Sequence, residues 1–292
     1  MSSPRARVHA VLRDASIDAD PVQSSVLAGG HGDSIERITL ADGRDVVLKL
    51  SHADNASRLD GEAHGLRALS TTQTVRVPDI FGHGRVEAHH YIVMEYLESV
   101  PATSAHWRAF GDALARLHAL ECGSQYGFEI DNHCGPTPQI NTWHDDWIEF
   151  NRACRIGYQV RLAADRGMLR TTEHDVLVRV VDRLDHLLPR TPKPALLHGD
   201  LWSGNARPLG DGAVAVIDPA CSIGDGWADI AMMRLFGGFP HEAESAFAAH
   251  HEIPDDLAER IAVYQLYHVL NHVNLFGRGY IEQAMSLARR LV

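Results

Sequence analysis

An apolar run ending in His-Gly-Asp (Leu196-Leu197-His198-Gly199-Asp200) is followed five residues later by Asn205. A second apolar run, Val214-Ala215-Val216-Ile217, then ends on Asp218. No other feature constrains the chain as much, because two short strands must release oxygen-bearing side chains from their ends at close spacing. Transfer of a γ-phosphoryl group needs one carboxylate to take the proton of the attacking hydroxyl, and an amide and a second carboxylate to hold the magnesium that bridges the phosphates. Asp200 suits the first role, and Asn205 and Asp218 suit the second. The plainer reading is a turn rich in Asp, Gly and Asn between two hairpin strands. Further parts of the same machinery upstream disfavour it.

The first of these is a lysine. Of the 27 basic residues only Lys49 and Lys193 are lysine, so a chain that otherwise relies on arginine makes an exception within Val46-Val47-Leu48-Lys49-Leu50. A compact ammonium fits beside phosphates where a planar guanidinium does not. A strand lysine on its own as readily faces solvent. The segment 59–69 that follows has helical spacing and carries Glu62, which is a surface helix acid or the carboxylate that holds such a lysine in kinase-like folds.

Along the chain, residues 4–14 read as a short amphipathic helix, and a glycine-rich turn with Gly30 and Gly32 precedes a hairpin, 35–40 and 45–50, whose Asp-Gly step supplies the turn. Strands are expected at 77–82 and 90–97. The second runs into Met94-Glu95-Tyr96, read either as a hinge between lobes or as an ordinary strand end. From 106 onward the pattern is helical, with helices expected at 107–120, 145–165, 174–188 and 257–276. The loop 128–143, with Gln139, Asn141 and Trp143, is long and rich in amides, so it either contacts substrate or caps the next helix. In Gly224-Asp225-Gly226-Trp227-Ala228-Asp229, Asp225 suits a helix first turn. Asp229, deeper in an apolar stretch, is expected to brace the catalytic loop through its backbone or His198. In helix 257–276, His268 and Asn271 are polar on an apolar stripe. A satisfied core histidine is the commoner case, and a substrate contact the alternative.

A length of 292 residues with 45% hydrophobic content allows one large domain or two lobes. The four cysteines are scattered without a Cys-x-x-Cys pair, which fits reduced thiols in a cytosol. No run approaches a membrane span, so a cytoplasmic protein is expected. A net charge of −11 argues against a nucleic-acid surface and suits a cationic substrate.

Together the stretches 196–205 (LLHGDLWSGN), 224–240, 264–277 and 137–143 (TPQINTW) make the chain resemble the fructosamine (ketosamine) kinase family, within the aminoglycoside phosphotransferase group. That resemblance implies an α+β, bilobal protein-kinase-like fold, with a small β-rich N-lobe over 1–97 and a larger, mainly helical C-lobe over 98–292. It implies ATP and Mg²⁺, Asp200 as catalytic base, and Asn205 and Asp218 as metal ligands. Nucleotide contacts fall to Lys49, Glu62, Gly30, Gly32 and the hinge residues Met94, Glu95 and Tyr96. Trp202 matches the aromatic associated with the sugar, and substrate contacts are expected from Gln139, Asn141, Trp143 and His268. His198 and Asp229 would support the loop. The implied substrate is a ketosamine, free or protein-bound, with deglycation as the purpose; the oligomeric state is left open, with a monomer favoured. Where the family usually has Arg-Glu, this chain has Gly226-Trp227, and it has His31 where some relatives carry a redox-active Cys. No disulfide switch is therefore expected in the glycine turn.

Two other readings keep part of this. An aminoglycoside, choline-like or other amino-alcohol acceptor would use the same machinery, and a non-catalytic pseudokinase would use only the nucleotide half.

Overall fold

Strands β1 (Pro21–Val26), β2 (Ser34–Leu40), β3 (Asp45–His52), β4 (Ile80–Val86) and β5 (His89–Glu95) form one antiparallel sheet in the order β1-β2-β3-β5-β4. The computed structural model describes residues 3–27, 33–52 and 56–292. Gly30, His31 and Gly32 lie outside the described residues.

Alternation along the strands decides which side chains meet the rest of the molecule, because successive residues point to opposite faces. Val46, Leu48 and Leu50 of β3, with Tyr91 and Val93 of β5, pack beneath helix α1 (Pro4–Asp14) through Val8, Val11 and Leu12. Val47, Ile92 and Met94 therefore face the other way, onto the main core shared with helix α2 (Ala56–Thr71) and the C-terminal part. Lys49 has the parity of Val47 and pairs with Ile92 across the ladder, which turns its ammonium toward α2 and not toward solvent.

The C-terminal part is mainly helical: α3 (Ser104–Ala119), α4 (Trp147–Cys154), α5 (Ile156–Asp165), α6 (Thr171–Asp182), α7 (Leu184–Leu187), α8 (Trp227–Leu235), α9 (His241–Ala248), α10 (Leu257–Phe276) and α11 (Ile281–Arg290). Three small antiparallel pairs interrupt it: β6 (Asn132–Cys134) with β7 (Thr137–Gln139), β8 (Pro194–Leu197) with β11 (Ser222–Asp225), and β9 (Ala206–Pro208) with β10 (Val214–Val216). A small antiparallel sheet beside a larger helical body is the bilobal protein-kinase-like architecture.

Three expected elements differ. The strand at 77–82 begins only at Ile80, because Val75 and Val77 turn into the core while the carbonyl of Arg76 receives the N–H of Val216 at 2.8 Å, joining the sheet to the helical part. The single helix expected at 145–165 is two. It starts at Trp147, where the Asp146 carboxylate receives the N–H groups of Ile148 and Glu149, and it breaks at Arg155 (φ −124°, ψ −100°). There the buried guanidinium turns inward to donate to the carbonyl of Ile140 at 2.6 Å and to Asn141 Oδ1 at 2.8 Å. Gly157 permits the break, since a Cβ there would lie 2.0 Å from the Arg152 carbonyl oxygen. The helix expected at 174–188 begins three residues earlier, where Glu173 accepts the N–H of Arg170 at 2.7 Å, and is interrupted at Arg183. Among the described residues no helix is long and apolar enough to cross a membrane.

Candidate active site

The loop from His198 to Asn205 is held from three sides. Gly199 has φ +82° and lies so close to Ala220 that a Cβ would sit 2.0 Å from its carbonyl oxygen, so only glycine lets this loop meet the segment after Asp218. From α8, Asp229 receives the N–H of His198 and of Gly199, each at 2.9 Å, and His118 Nε2 of α3 at 3.1 Å. His198 Nε2 bonds the carbonyl of Ile217 at 3.0 Å, while its Nδ1 receives the Asp200 N–H at 3.3 Å. That pattern requires a neutral ring with the proton on Nε2, and burial lowers its pKa accordingly. One imidazole thus ties the loop of Asp200 to the strand end that carries Asp218.

Asn205 closes the loop by donating its Nδ2 to the carbonyl oxygen of Asp200 at 2.9 Å and to Asp200 Oδ2 at 3.4 Å. This leaves the amide oxygen as the atom available to a cation. Asp218 sits at φ +56°, a left-handed conformation that turns its carboxylate back toward the loop. An amide oxygen and a carboxylate are hard oxygen donors that suit Mg²⁺, so these residues fit the ion the sequence implies. Burial first, then the charge of Asp218, pushes the Asp200 carboxyl up to about 7, against the Asn205 hydrogen bond.

Lys49 is 6% exposed, donates to Glu62 Oε1 at 2.7 Å and also pairs with Asp218. Burial alone would lower its pKa, but the two carboxylates override that and raise it. One ammonium cannot neutralise two carboxylates. Glu62, the more enclosed, is raised by burial to about 7, whereas Lys49 offsets burial at Asp218 and holds it below the ordinary range.

Two chambers meet at this loop. A polar one of about 440 Å³ is lined by Lys49, Glu62, Asp218, Asn205, Arg58 and Arg207, among others. An adjoining one of about 340 Å³ has an aromatic and apolar wall made by Met232, Phe236, His272, Leu275, Phe276 and Tyr280. Gly135, Asp200 and Trp202 belong to both. The Trp202 indole lies over Gly204, where a Cβ would be 2.1 Å from the ring, and is 41% exposed at the seam. In the second chamber His272 contacts the rings of Phe236 at 5.0 Å, Tyr280 at 4.9 Å and Phe276 at 5.4 Å.

Other residues singled out in the sequence fall elsewhere. Gln139 and Asn141 are buried in an amide network: Gln139 donates to Asn132 Oδ1 at 2.8 Å and accepts the Tyr267 hydroxyl at 2.7 Å, and Asn141 is bonded to Ile130, Asn132 and Arg155. Their side-chain amides are bonded inside the fold, and neither residue lines either chamber. Trp143 is 42% exposed and lines neither chamber. Met94 is buried, Glu95 bonds Arg76 and the N–H of Asp79, and the Tyr96 ring lies 4.2 Å beneath the Arg37 guanidinium. None of these three side chains lines the polar chamber. Asp225, buried, accepts the Tyr264 hydroxyl at 2.7 Å besides the Trp227 N–H. His268 is 5% exposed, and Cys134 and Asp200 are its neighbours.

Arg58, Arg207, His118 and the aromatic wall were not picked out from the sequence as site residues. Arg207, two positions after Asn205, had a usable signal, but the wall is assembled from residues 232 to 280 and had none.

The fructosamine kinase family model matches residues 6–292. A Synechocystis protein named a probable ketoamine kinase is 41% identical over 253 residues, covering 86% of this chain and 84% of its own. The chloroplastic protein-ribulosamine 3-kinase of Arabidopsis thaliana is 34% identical, covering 97% of this chain and 94% of its own. A crystal structure of a Thermobifida fusca protein, provisionally named fructosamine-3-kinase, superposes with a TM-score of 0.88 at 30% identity, covering 99% of each chain.

Proposed function

Because the chain belongs to the fructosamine kinase family, we propose that it transfers the γ-phosphoryl group of ATP, with Mg²⁺, to the 3-hydroxyl of a ketosamine. The observation that carries this reading is that Asp200 and Trp202 line both chambers. A triphosphate in the polar chamber and a sugar in the apolar one would meet at Asp200, the only carboxylate common to both linings among the described residues.

Asp200 orients the acceptor hydroxyl and takes its proton as the oxygen attacks. Lys49, steadied by Glu62, presents its ammonium to the phosphates, and Arg207 adds positive charge to the same wall, where Arg58 is paired with Asp33. Asn205 and Asp218 would hold Mg²⁺, which would supply positive charge to offset that of the triphosphate. Trp202 offers a flat face to the sugar, and the Phe236, Phe276 and Tyr280 rings surround the part of the acceptor beyond it.

A phosphate on C3 lies next to the C2 carbonyl of a ketosamine. Enolisation toward C1 makes that phosphate allylic, so it leaves, and hydrolysis of the resulting imine releases the amine. Phosphorylation is therefore the first step of a deglycation, which we place in the cytoplasm and in a single chain, with the lobes divided near residue 97.

Mass spectrometry of products after incubation with ATP, Mg²⁺ and a mixture of fructosamines, ribulosamines, an aminoglycoside and choline tests this. Addition of one phosphate to a ketosamine supports it. Phosphate on the aminoglycoside or choline alone would overturn it in favour of the other acceptor class.

A further inference from the structure

His268 was expected to be either a satisfied core histidine or a substrate contact, yet among the described residues its Nδ1 is buried without a hydrogen-bond partner. An imidazole 5% exposed with an unmet ring nitrogen is costly, and its surroundings offer a reason for keeping it. Cys134 ends β6, Asp200 follows β8, and His268 lies in the middle of α10. One ligand atom from each falls within 4.8 Å of the other two. Three elements distant in sequence thus bring a sulfur, a nitrogen and a carboxylate oxygen to one point.

We propose that Cys134, Asp200 and His268 form a second cation site, selective for a thiophilic divalent ion of the zinc class, that captures the catalytic base and arrests transfer. Binding itself does not depend on the proposed reaction, whereas the arrest rests on the role given to Asp200 above.

The donor sets separate the two ions. Asn205 and Asp218 offer only hard oxygen, whereas thiolate, imidazole and carboxylate form a set suited to zinc. Metal–ligand bonds of about 2.0–2.3 Å require shifts of about 1 Å or less to close the observed spacing. Cys134 and Asp200 line the apolar chamber, so water from that chamber can take the fourth tetrahedral position. Binding forms a metal–sulfur bond and releases the proton of the Cys134 thiol, together with any proton on Asp200. His268, which burial holds neutral by lowering its pKa to about 3, supplies a lone pair without losing a proton. A dication with one thiolate and one carboxylate is neutral overall, which offsets the cost of charge in an enclosed place.

Cobalt(II) is the direct probe. Titrated into the whole chain without Mg²⁺, it is expected to give one equivalent of a thiolate-to-cobalt charge-transfer band. The band persists in Cys122→Ser and disappears in Cys134→Ser, and His268→Gln weakens binding by more than about 100-fold, beyond the loss of a supporting partner. Zinc should displace the cobalt. If Cys134→Ser does not fold, zinc protection of Cys134 from alkylation in the unaltered chain, mapped by mass spectrometry, decides the question. A band that survives Cys134→Ser, absence of any thiolate band, or absence of protection overturns the site. Under saturating Mg²⁺ and ATP, zinc should arrest transfer and a zinc-selective chelator restore it. A cobalt band in a protein that phosphorylates no ketosamine would refute the proposed reaction alone, while zinc-insensitive turnover without a band would refute this site alone.

Discussion

The Asp229 carboxylate receives the backbone N–H of His198 at 2.9 Å, so a helix residue 31 positions downstream sets the position of the loop that presents Asp200. The same carboxylate serves Gly199 and His118, and Asp229, His198 and His118 are all buried, away from solvent that could replace it.

Asp229→Asn should therefore harm both folding and turnover. An amide keeps the size but replaces one acceptor by a donor, leaving a buried N–H unmet at a cost of about 1–3 kcal/mol. Denaturant unfolding should show that loss, and kcat should fall while nucleotide affinity changes little. Although burial alone would raise it, the bonds from His118 and Gly199 hold the Asp229 carboxyl below its ordinary range. Its contribution to stability is present above the unfolded pKa and lost as pH falls through the folded one. The deficit of Asp229→Asn should accordingly shrink in acid.

Asp200→Ala should lower kcat by about 10²–10⁴-fold with nucleotide binding nearly intact, measured by calorimetric titration and coupled ATP turnover. Unchanged turnover would remove Asp200 from the role of base. The raised pKa, about 7, has a second consequence with the opposite sign to that of Asp229. A carboxyl raised on folding is tolerated best when protonated, so its contribution is most favourable below the unfolded pKa and is lost as pH rises through about 7. Asp200→Asn should thus melt higher than the native chain at alkaline pH, by on the order of 2 kcal/mol, with the gap closing toward pH 4.

Lys49→Met should leave Glu62 and Asp218 facing each other without a counter-charge. Removing one partner of a buried ion pair costs about 3–5 kcal/mol, part of which Glu62 can recover by taking a proton. ATP affinity should fall, and Lys49→Arg should not restore it, since the guanidinium neither fits the enclosed position between two carboxylates nor presents a compact charge. Chemical denaturation together with nucleotide binding separates the two effects.

Phe236→Ala and Tyr280→Ala remove ring contacts around His272 in the apolar chamber. If that chamber receives the acceptor, each should raise KM for the ketosamine about 2–10-fold and leave KM for ATP unchanged. A change in the ATP constant instead would mean that the two chambers have been assigned the wrong way round.

Much of this molecule is local and could be read directly. Apolar periodicity located α1, α2, α3 and α10, and the Asp-Gly step located the β2–β3 turn, because these depend on residues within a few positions of one another. The two-residue period of β3 is also local, and it decides that Lys49 lies on the face of Val47 and Ile92. The break at Arg155 was hidden, since its cause is the carbonyl of Ile140 and the amide of Asn141, which the chain only later brings beneath it. Whether the amides of Gln139 and Asn141 contact substrate or cap a helix was open in the sequence for the same reason, because their partners lie mostly on other elements.

The sequence by itself determined the chemistry available at the loop: His-Gly-Asp, an asparagine five residues on, and a second aspartate at a strand end. Only the tertiary structure decided how these groups are used. It placed Asp200 on the seam between a charged chamber and an aromatic one, held its loop from α8, and set Cys134 and His268 beside it. The physical reason is that spacing along a strand or a turn is dictated by backbone geometry within a few residues. Burial, charge repulsion and the meeting of α10 with β6 exist only once segments more than a hundred residues apart have packed together.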